Sequence, residues 1–319
     1  ISLSLGEPDF DTPMLMKAAG IEAIEQNVTH YTPVPGILSV REAICRKFER
    51  DNGLHFTPGQ IVLSNGAKQS ITNVVLSLVD AGEEVILPAP YWVSYADMVA
   101  FANGKSVVLP TRIEEDFKIQ PAALEAAITP KTRLLIYSSP CNPSGSVYTM
   151  EETLALAEVL NRHPHVYVIS DEIYELINFT DQHASIGTIE GIKDRVITVN
   201  GVSKGFAMTG WRIGYIGAPL WIAKACTKIQ GQVTSAPSSI AQVAAGAAVS
   251  ADPSIANEMK AALTDGTNGI KKSFMGCSDE CFEATCSDSS KTTQVDCEAD
   301  AVWTHAYCTS TSTTNEADC

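Results

Sequence analysis

Short, uniformly apolar runs recur along the chain at residues 61–63, 85–87, 134–137, 166–169, 196–199 and 213–216. Each is rich in β-branched and aliphatic residues rather than alternating with charged ones, the signature of a strand buried on both faces. Between them lie amphipathic stretches such as 71–79 and 151–161, whose apolar positions return at helical spacing. Strand-like runs alternating with helical ones predict an α/β fold with a mostly parallel sheet and helices on both faces. Ligands of such sheets bind outside the carboxyl ends of the strands, so the residues just after each run become the candidates for chemistry.

Two of those places carry a phosphate signal. Ser64-Asn65-Gly66-Ala67 directly precedes a helical pattern starting near Lys68. A helix start with free amides and no side chain at Gly66 is an anion site, although a plain N-cap reads the same way. Further on, Lys204 sits in Asn200-Gly201-Val202-Ser203-Lys204-Gly205-Phe206-Ala207-Met208-Thr209-Gly210-Trp211-Arg212. Lysines are ordinarily solvated, but these flanks read as packed loop. Burial beside another cation or an apolar wall lets such an amine lose its proton and attack an aldehyde to form a Schiff base. Arg212 adds a planar guanidinium fork suited to a phosphate. An anchoring amine together with a phosphate clamp is what pyridoxal 5'-phosphate requires.

Other strand-end residues fit that cofactor. Asp171 closes an apolar run beside Glu172, an odd place for a carboxylate unless it holds a ring nitrogen protonated; a turn residue or N-cap is the alternative. Asn142 lies in Cys141-Asn142-Pro143-Ser144-Gly145, where its amide can both donate and accept. Tyr174 and Trp92 are aromatic residues for which half-buried packing is the ordinary role.

Composition narrows the class. A chain of 319 residues suffices for one large domain and part of a second. No stretch approaches the roughly 18 apolar residues of a membrane span, and Ile1 opens no signal-peptide pattern, so no membrane partner and a cytoplasmic location are expected. A formal charge of −15 argues against nucleic acid as a partner and says little about a small anionic substrate. Cys45, Cys141 and Cys226 are scattered as in an intracellular enzyme, whereas Cys277, Cys281, Cys286, Cys297, Cys308 and Cys319 crowd the end. Residues 271–319 hold no leucine, isoleucine or arginine but fifteen serines and threonines, a composition expected to be disordered unless cross-linked. With no Cys-x-x-Cys pair there, a zinc site is weakly supported and no metal is assigned.

The lysine run resembles the motif of class I and II aminotransferases, the fold-type I pyridoxal-phosphate enzymes of the aspartate aminotransferase family. Leu5-Gly6-Glu7-Pro8-Asp9-Phe10, His30-Tyr31-Thr32-Pro33, Ser64-Asn65-Gly66-Ala67-Lys68, Pro90-Tyr91-Trp92-Val93-Ser94-Tyr95, Pro140-Cys141-Asn142-Pro143-Ser144-Gly145 and Ser170-Asp171-Glu172-Ile173-Tyr174-Glu175 resemble that family in its own order, and the resemblance ends near Gly269. It implies a seven-stranded, mostly parallel large domain at 12–250, preceded by an N-terminal segment at 1–11 and followed at 251–270 by the start of an interdomain helix. It implies that Lys204 anchors the cofactor and shuttles a proton in the transfer of an amino group from an acidic amino acid to a 2-oxo acid. Cofactor contacts would come from Gly66, Ala67, Trp92, Asn142, Asp171, Tyr174, Ser203 and Arg212, with Tyr31 reaching the site of a second subunit in a homodimer. Substrate would meet Gly6, Asn142 and Lys68, the last recognising a distal carboxylate, which makes aspartate, glutamate or prephenate the amino-group partners.

Arg212 is the last arginine of the chain, and in this the family pattern is not met. The resemblance implies a small carboxyl-terminal domain with an arginine for the substrate α-carboxylate, and none can be assigned, so the reading frame is expected to depart from the family near Leu263 to Gly269. An amino-terminal segment that wraps the partner subunit in the family is likewise not matched. Competing expectations are therefore a chain that binds cofactor but is catalytically impaired, and a pyridoxal-phosphate lyase or synthase of the same fold.

Overall fold

The computed structural model describes residues 6–180 and 183–264. Its centre is a seven-stranded sheet of β1 (Ile61–Asn65), β2 (Glu84–Ala89), β3 (Lys105–Pro110), β4 (Thr132–Ser138), β5 (Tyr167–Asp171), β6 (Val196–Gly201) and β7 (Ile213–Gly217), in the order β1-β7-β6-β5-β4-β2-β3. Only β7 runs against its neighbours, pairing antiparallel with β1 and β6; the remaining pairs are parallel. The α/β expectation therefore holds, and all six apolar runs are strands.

The seventh strand, β3, went unread. It is one of the two edge strands and, unlike β1 at the other edge, is mostly solvated: only Leu109 among its residues is buried. A strand solvated on most of its surface has no need of a continuous apolar run. Strand β5 also runs to Asp171, two residues beyond the expected end, because parallel pairing with β4 and β6 continues through that polar position.

Helices pack on both faces. Alternate residues of each strand enter opposite cores, as the pleat requires. Val85, Leu87, Leu134, Ile136 and Ile169 meet Ile71, Val74, Val75 and Leu78 of α3 and Met98 and Val99 of α4 on one side. On the other, Ile86, Leu135, Tyr137 and Val168 meet Leu124 of α5 and Leu156 and Leu160 of α6. These helices are α3 (Ala67–Leu78), α4 (Ser94–Phe101), α5 (Pro121–Ala127) and α6 (Met150–Arg162). A third apolar cluster joins β1 and β7 to α1 (Met14–Glu25), α2 (Leu38–Lys47) and α8 (Ser239–Ser250), while α7 (Leu220–Val233) lies against α3. Helix α9 (Asn257–Thr264) ends the described part. The expectations for residues 271–319 lie outside it.

The strand directions decide where chemistry can assemble. Since β1, β2, β4, β5 and β6 all point the same way and β7 points back, the segments after the first five and the segment before β7 emerge along one edge of the sheet.

Candidate active site

Along that edge stand Gly66 after β1, Trp92 after β2, Asn142 after β4, Asp171 at the end of β5, Lys204 after β6 and Arg212 just before β7. Residues up to 146 positions apart in sequence are thus neighbours because one sheet edge collects them.

Asp171 is the buried acid of the group, only 4% exposed. One of its oxygens accepts a 2.7 Å hydrogen bond from the Tyr95 hydroxyl and the other a 3.3 Å bond from the Ile173 amide. Burial pushes its pKa up to about 6, against those two bonds and the Lys204 charge, which act downward. Tyr95 was not assigned a role from sequence. The available signal was its position three residues after Trp92, one helical turn, and its ring indeed stands edge-on to Trp92 with centroids 5.6 Å apart.

Lys204 is half-buried on the turn after β6. Its ammonium donates to the Gly6 carbonyl and lies 5.8 Å from the centre of the Tyr174 ring. Burial holds its pKa below the usual lysine value, the Arg212 charge acting in the same direction and Glu7 and Asp171 against it. The Thr209 hydroxyl donates to Glu7, and Thr12 Oγ1 to the Ala207 carbonyl at 2.7 Å, so residues 6–12 are strapped across the lysine loop. Ser203 is buried beside Lys204, and its carbonyl accepts from the Met208 amide at 3.2 Å.

The buried Tyr174 hydroxyl accepts a 3.2 Å bond from Asn142 Nδ2, which joins the β4 and β5 loops. Burial raises the pKa of that phenol to about 12.

Arg212 is an exposed arginine on the far wall, with its backbone in the left-handed region (φ +55°). Its guanidinium donates to the Thr209 carbonyl at 2.9 Å and to the Asn65 carbonyl at 3.4 Å. This lays it directly over Gly66, where a Cβ would stand 2.3 Å from Nη2. Gly66 itself has φ +82° and begins α3, whose first turn carries no acidic residue and no side-chain cap. The Ala67 amide then borders Gly214 of β7, whose missing Cβ leaves it room.

Lys68 is exposed, with its ammonium 4.8 Å from the centre of the Trp92 ring, a cation–π geometry. Gly6 is exposed at the start of the described chain. Tyr31 alone stands apart: it is fully exposed and touches none of the other residues of the group by any hydrogen bond or ring contact described. A water-sized cavity lined by Tyr91, Tyr95, Phe117, Tyr137, Cys141 and Asn142 lies behind the β4 loop.

Comparison with known proteins places the chain in a family. The family model described as aminotransferase class I and II matches residues 1–296, past the point near Gly269 where the resemblance of single motifs stops. An aspartate/prephenate aminotransferase of Nitrosomonas europaea is 52% identical over 256 residues, covering 80% of this chain and 64% of the relative. A bifunctional aspartate aminotransferase and glutamate/aspartate-prephenate aminotransferase of Petunia hybrida is 52% identical over 250 residues, covering 78% of this chain and 52% of that one. The chain therefore spans less than two thirds of the length of these curated relatives. Among solved structures, the aspartate aminotransferase from Rhizobium meliloti superposes with a TM-score of 0.81 at 42% identity, over 82% of this chain and 66% of its own. With the sheet order, the strand-end cluster and the match over most of its length in agreement, this chain belongs to the aminotransferase class I and II family.

Proposed function

We propose that the chain binds pyridoxal 5'-phosphate along this sheet edge and transfers the amino group of aspartate, or a related acidic amino acid, to a 2-oxo acid. The observation that carries the reading is that two shifted groups, Asp171 and Lys204, lie within electrostatic reach of each other at the ends of β5 and β6. Asp171 is a fully enclosed carboxylate with no side-chain cation bonded to it, and Lys204 is an amine that burial makes easier to deprotonate. A buried carboxylate ionises at little cost when a cation stands against it. A protonated ring nitrogen is such a cation.

The remaining residues fit the rest of the group. Gly66 leaves a cradle that a Cβ would fill, closed above by Arg212 and below by the uncapped start of α3, which suits a phosphate. The Asn142–Tyr174 pair offers donors to a ring oxygen, Trp92 offers a flat aromatic surface, and Ser203 sits beside the anchor. When bound, the cofactor supplies an aldehyde for amines and a cationic ring that accommodates a carbanion at the substrate α-carbon. Lys204 Nζ would hold the cofactor and, once released by the substrate amine, would take the proton from the substrate α-carbon and deliver it to the cofactor carbon that carried the aldehyde. Lys68, exposed at the mouth beside Trp92, meets the distal carboxylate of an acidic substrate, and the Gly6 amide its α-carboxylate. Transamination is favoured over a lyase or synthase reaction, and over an impaired chain, because aspartate aminotransferases recur among the relatives.

In this reading residues 12–250 are the cofactor domain, with 1–11 as an N-terminal segment and 251–270 as the start of an interdomain helix. A homodimer is supported by α1, whose Met14, Leu15, Ile21 and Ile24 are each more than half exposed, and by the fully exposed Tyr31, which would reach across to the other subunit. No described helix is long and apolar enough to cross a membrane. The free thiols of Cys45, Cys141 and Cys226 support a cytoplasmic location.

The test is a visible absorption spectrum of the chain with added pyridoxal 5'-phosphate, before and after L-aspartate, beside Lys204→Ala. A cofactor band that needs Lys204 and changes on addition of aspartate supports the reading. A band indifferent to aspartate would leave cofactor binding without transamination, and no Lys204-dependent band would sink the cofactor assignment.

A further inference from the structure

A second cluster of charges lies directly behind the turn that carries Asp171 and Tyr174, and the site does not use it. Lys47, at the end of α2, is 2% exposed, an unusual degree of burial for a lysine. Its ammonium donates to Glu175 and, at 2.6 Å, to Asn52 Oδ1, and it lies 3.7 Å from Asp51 Oδ2. Asn52 Nδ2 in turn donates to Glu172 Oε2 at 3.0 Å and Glu175 Oε2 at 2.5 Å. Glu172 is wholly buried and also accepts from Ser170 Oγ at 2.9 Å and Ser185 Oγ at 2.6 Å, with His183 Nε2 at 2.8 Å.

Local backbone explains how α2 reaches this cluster. After Lys47 the helix widens into a π turn, Phe48–Asn52, in which the Gly53 amide bonds back to the Phe48 carbonyl. The i→i+5 pitch of a π turn brings Asn52 around under Lys47, where an α-helix would carry it away; single π turns of this kind concentrate at functional sites. Glu172, Glu175 and His183 place donor atoms within 4.8 Å of one another, with Glu175 paired directly to the Lys47 ammonium and Glu172 and His183 linked to it through Asn52.

The turn is therefore two-sided. Asp171 and Tyr174 face the cofactor edge, while Glu172 and Glu175, each the next residue in sequence, are fixed from behind by Lys47, Asn52 and His183. We infer that Lys47 is a positioning residue for the reaction, holding the Asp171–Tyr174 turn in place and setting, through the charge balance of the buried cluster, how readily Asp171 remains ionised opposite the cofactor ring. The inference rests on the pyridoxal-phosphate reading above. Groups facing Asp171 are Tyr95, Tyr174, Cys141, Glu172 and Lys204; those facing Lys47 are Asp51, Glu175 and, through Asn52, Glu172 and His183, with Arg50 on the outer side of Asp51. Removing the Lys47 charge leaves the cluster one unit more negative next to Asp171, and removing Glu175 does the reverse.

The experiment compares the parent with Lys47→Met, Glu175→Gln and the charge-balanced Lys47→Met/Glu175→Gln. For each, the fold is checked by circular dichroism, the dissociation constant for pyridoxal 5'-phosphate by tryptophan fluorescence, and the pH midpoint of the bound cofactor's visible absorbance by titration. The midpoint is expected to move up in Lys47→Met and down in Glu175→Gln, by on the order of half a pH unit or more, and to return towards the parent in the double variant. Either single variant suffices if the other does not fold. Folded variants whose midpoints and affinities match the parent, with only their melting temperatures lowered, would overturn the inference and leave the cluster a structural one. A parent that binds no pyridoxal 5'-phosphate would instead sink the functional reading, and the inference with it.

Discussion

The Tyr95 hydroxyl donates to Asp171 Oδ2 at 2.7 Å, tying the first turn of α4 to the end of β5. That bond favours the ionised carboxylate, and burial opposes it more strongly. The folded pKa of about 6 lies above the usual 3.8, so the folded chain holds a proton that the unfolded chain has released between those values. Stability of the cofactor-free protein therefore falls as pH rises through that window, and the penalty is complete above pH 6. Asp171→Asn abolishes it. Chemical denaturation should show this variant more stable than the parent at pH 7.5, by roughly 3 kcal/mol, with the gap closing towards pH 4. Tyr95→Phe should do the opposite, costing about 1.5–3 kcal/mol above pH 6 and less below it. A pH-independent difference in both variants would contradict the assignment.

Gly66→Ala places a methyl group against the Arg212 guanidinium at a backbone angle of φ +82°. The guanidinium can swing aside, so the stability cost is mainly the backbone, whose φ +82° and ψ 163° only glycine adopts readily, roughly 1–3 kcal/mol. Its lost position is the larger effect. The dissociation constant for pyridoxal 5'-phosphate, followed by fluorescence, should rise tenfold or more while the chain stays folded; unchanged affinity would remove Gly66 and Arg212 from the phosphate site.

Gly214→Ala tests the packing beneath the same loop. Its Cβ would lie 2.2 Å from the Ala67 nitrogen and 2.4 Å from the Gly66 carbonyl carbon, both backbone atoms that no rotamer change can move. Strand β7 would have to separate from the start of α3, at a cost of about 3 kcal/mol or more. A denaturation midpoint close to the parent's would show that the strand and helix do not meet this closely.

Lys68→Met removes the ammonium over Trp92 and keeps the length of the side chain. Under the proposed function, kcat/KM for aspartate should fall by tenfold or more while that for a neutral amino acid holds or rises. Equal losses for both substrates would make Lys68 a packing partner of Trp92 rather than a specificity residue.

Most of the architecture was legible because burial on both faces of a parallel sheet forces an unbroken apolar run: β2, β4, β5 and β6 could be read directly. The edge strand β3 could not, since half of it faces solvent. Within the candidate site, Lys204 and Asp171 stand out in the sequence as charged groups in packed or apolar surroundings, whereas Asn142 and Gly66 also fit an ordinary turn and an ordinary helix start. Tyr95 and Lys47 were not. A tyrosine in an apolar run and a lysine in a helix look like ordinary packing and an ordinary surface charge, because their partners, Asp171 and Glu175, lie 76 and 128 residues away.

The sequence by itself determined the alternation of strands and helices and the place of the candidate groups at strand ends, because these follow from local patterning and side-chain chemistry. Tertiary structure alone decided that β7 runs backwards, which puts Arg212 over Gly66, and that the turn after β5 has a charged cluster on its far side. Both depend on which strands and helices become neighbours, and that is fixed by the summed burial of the whole core rather than by any one segment.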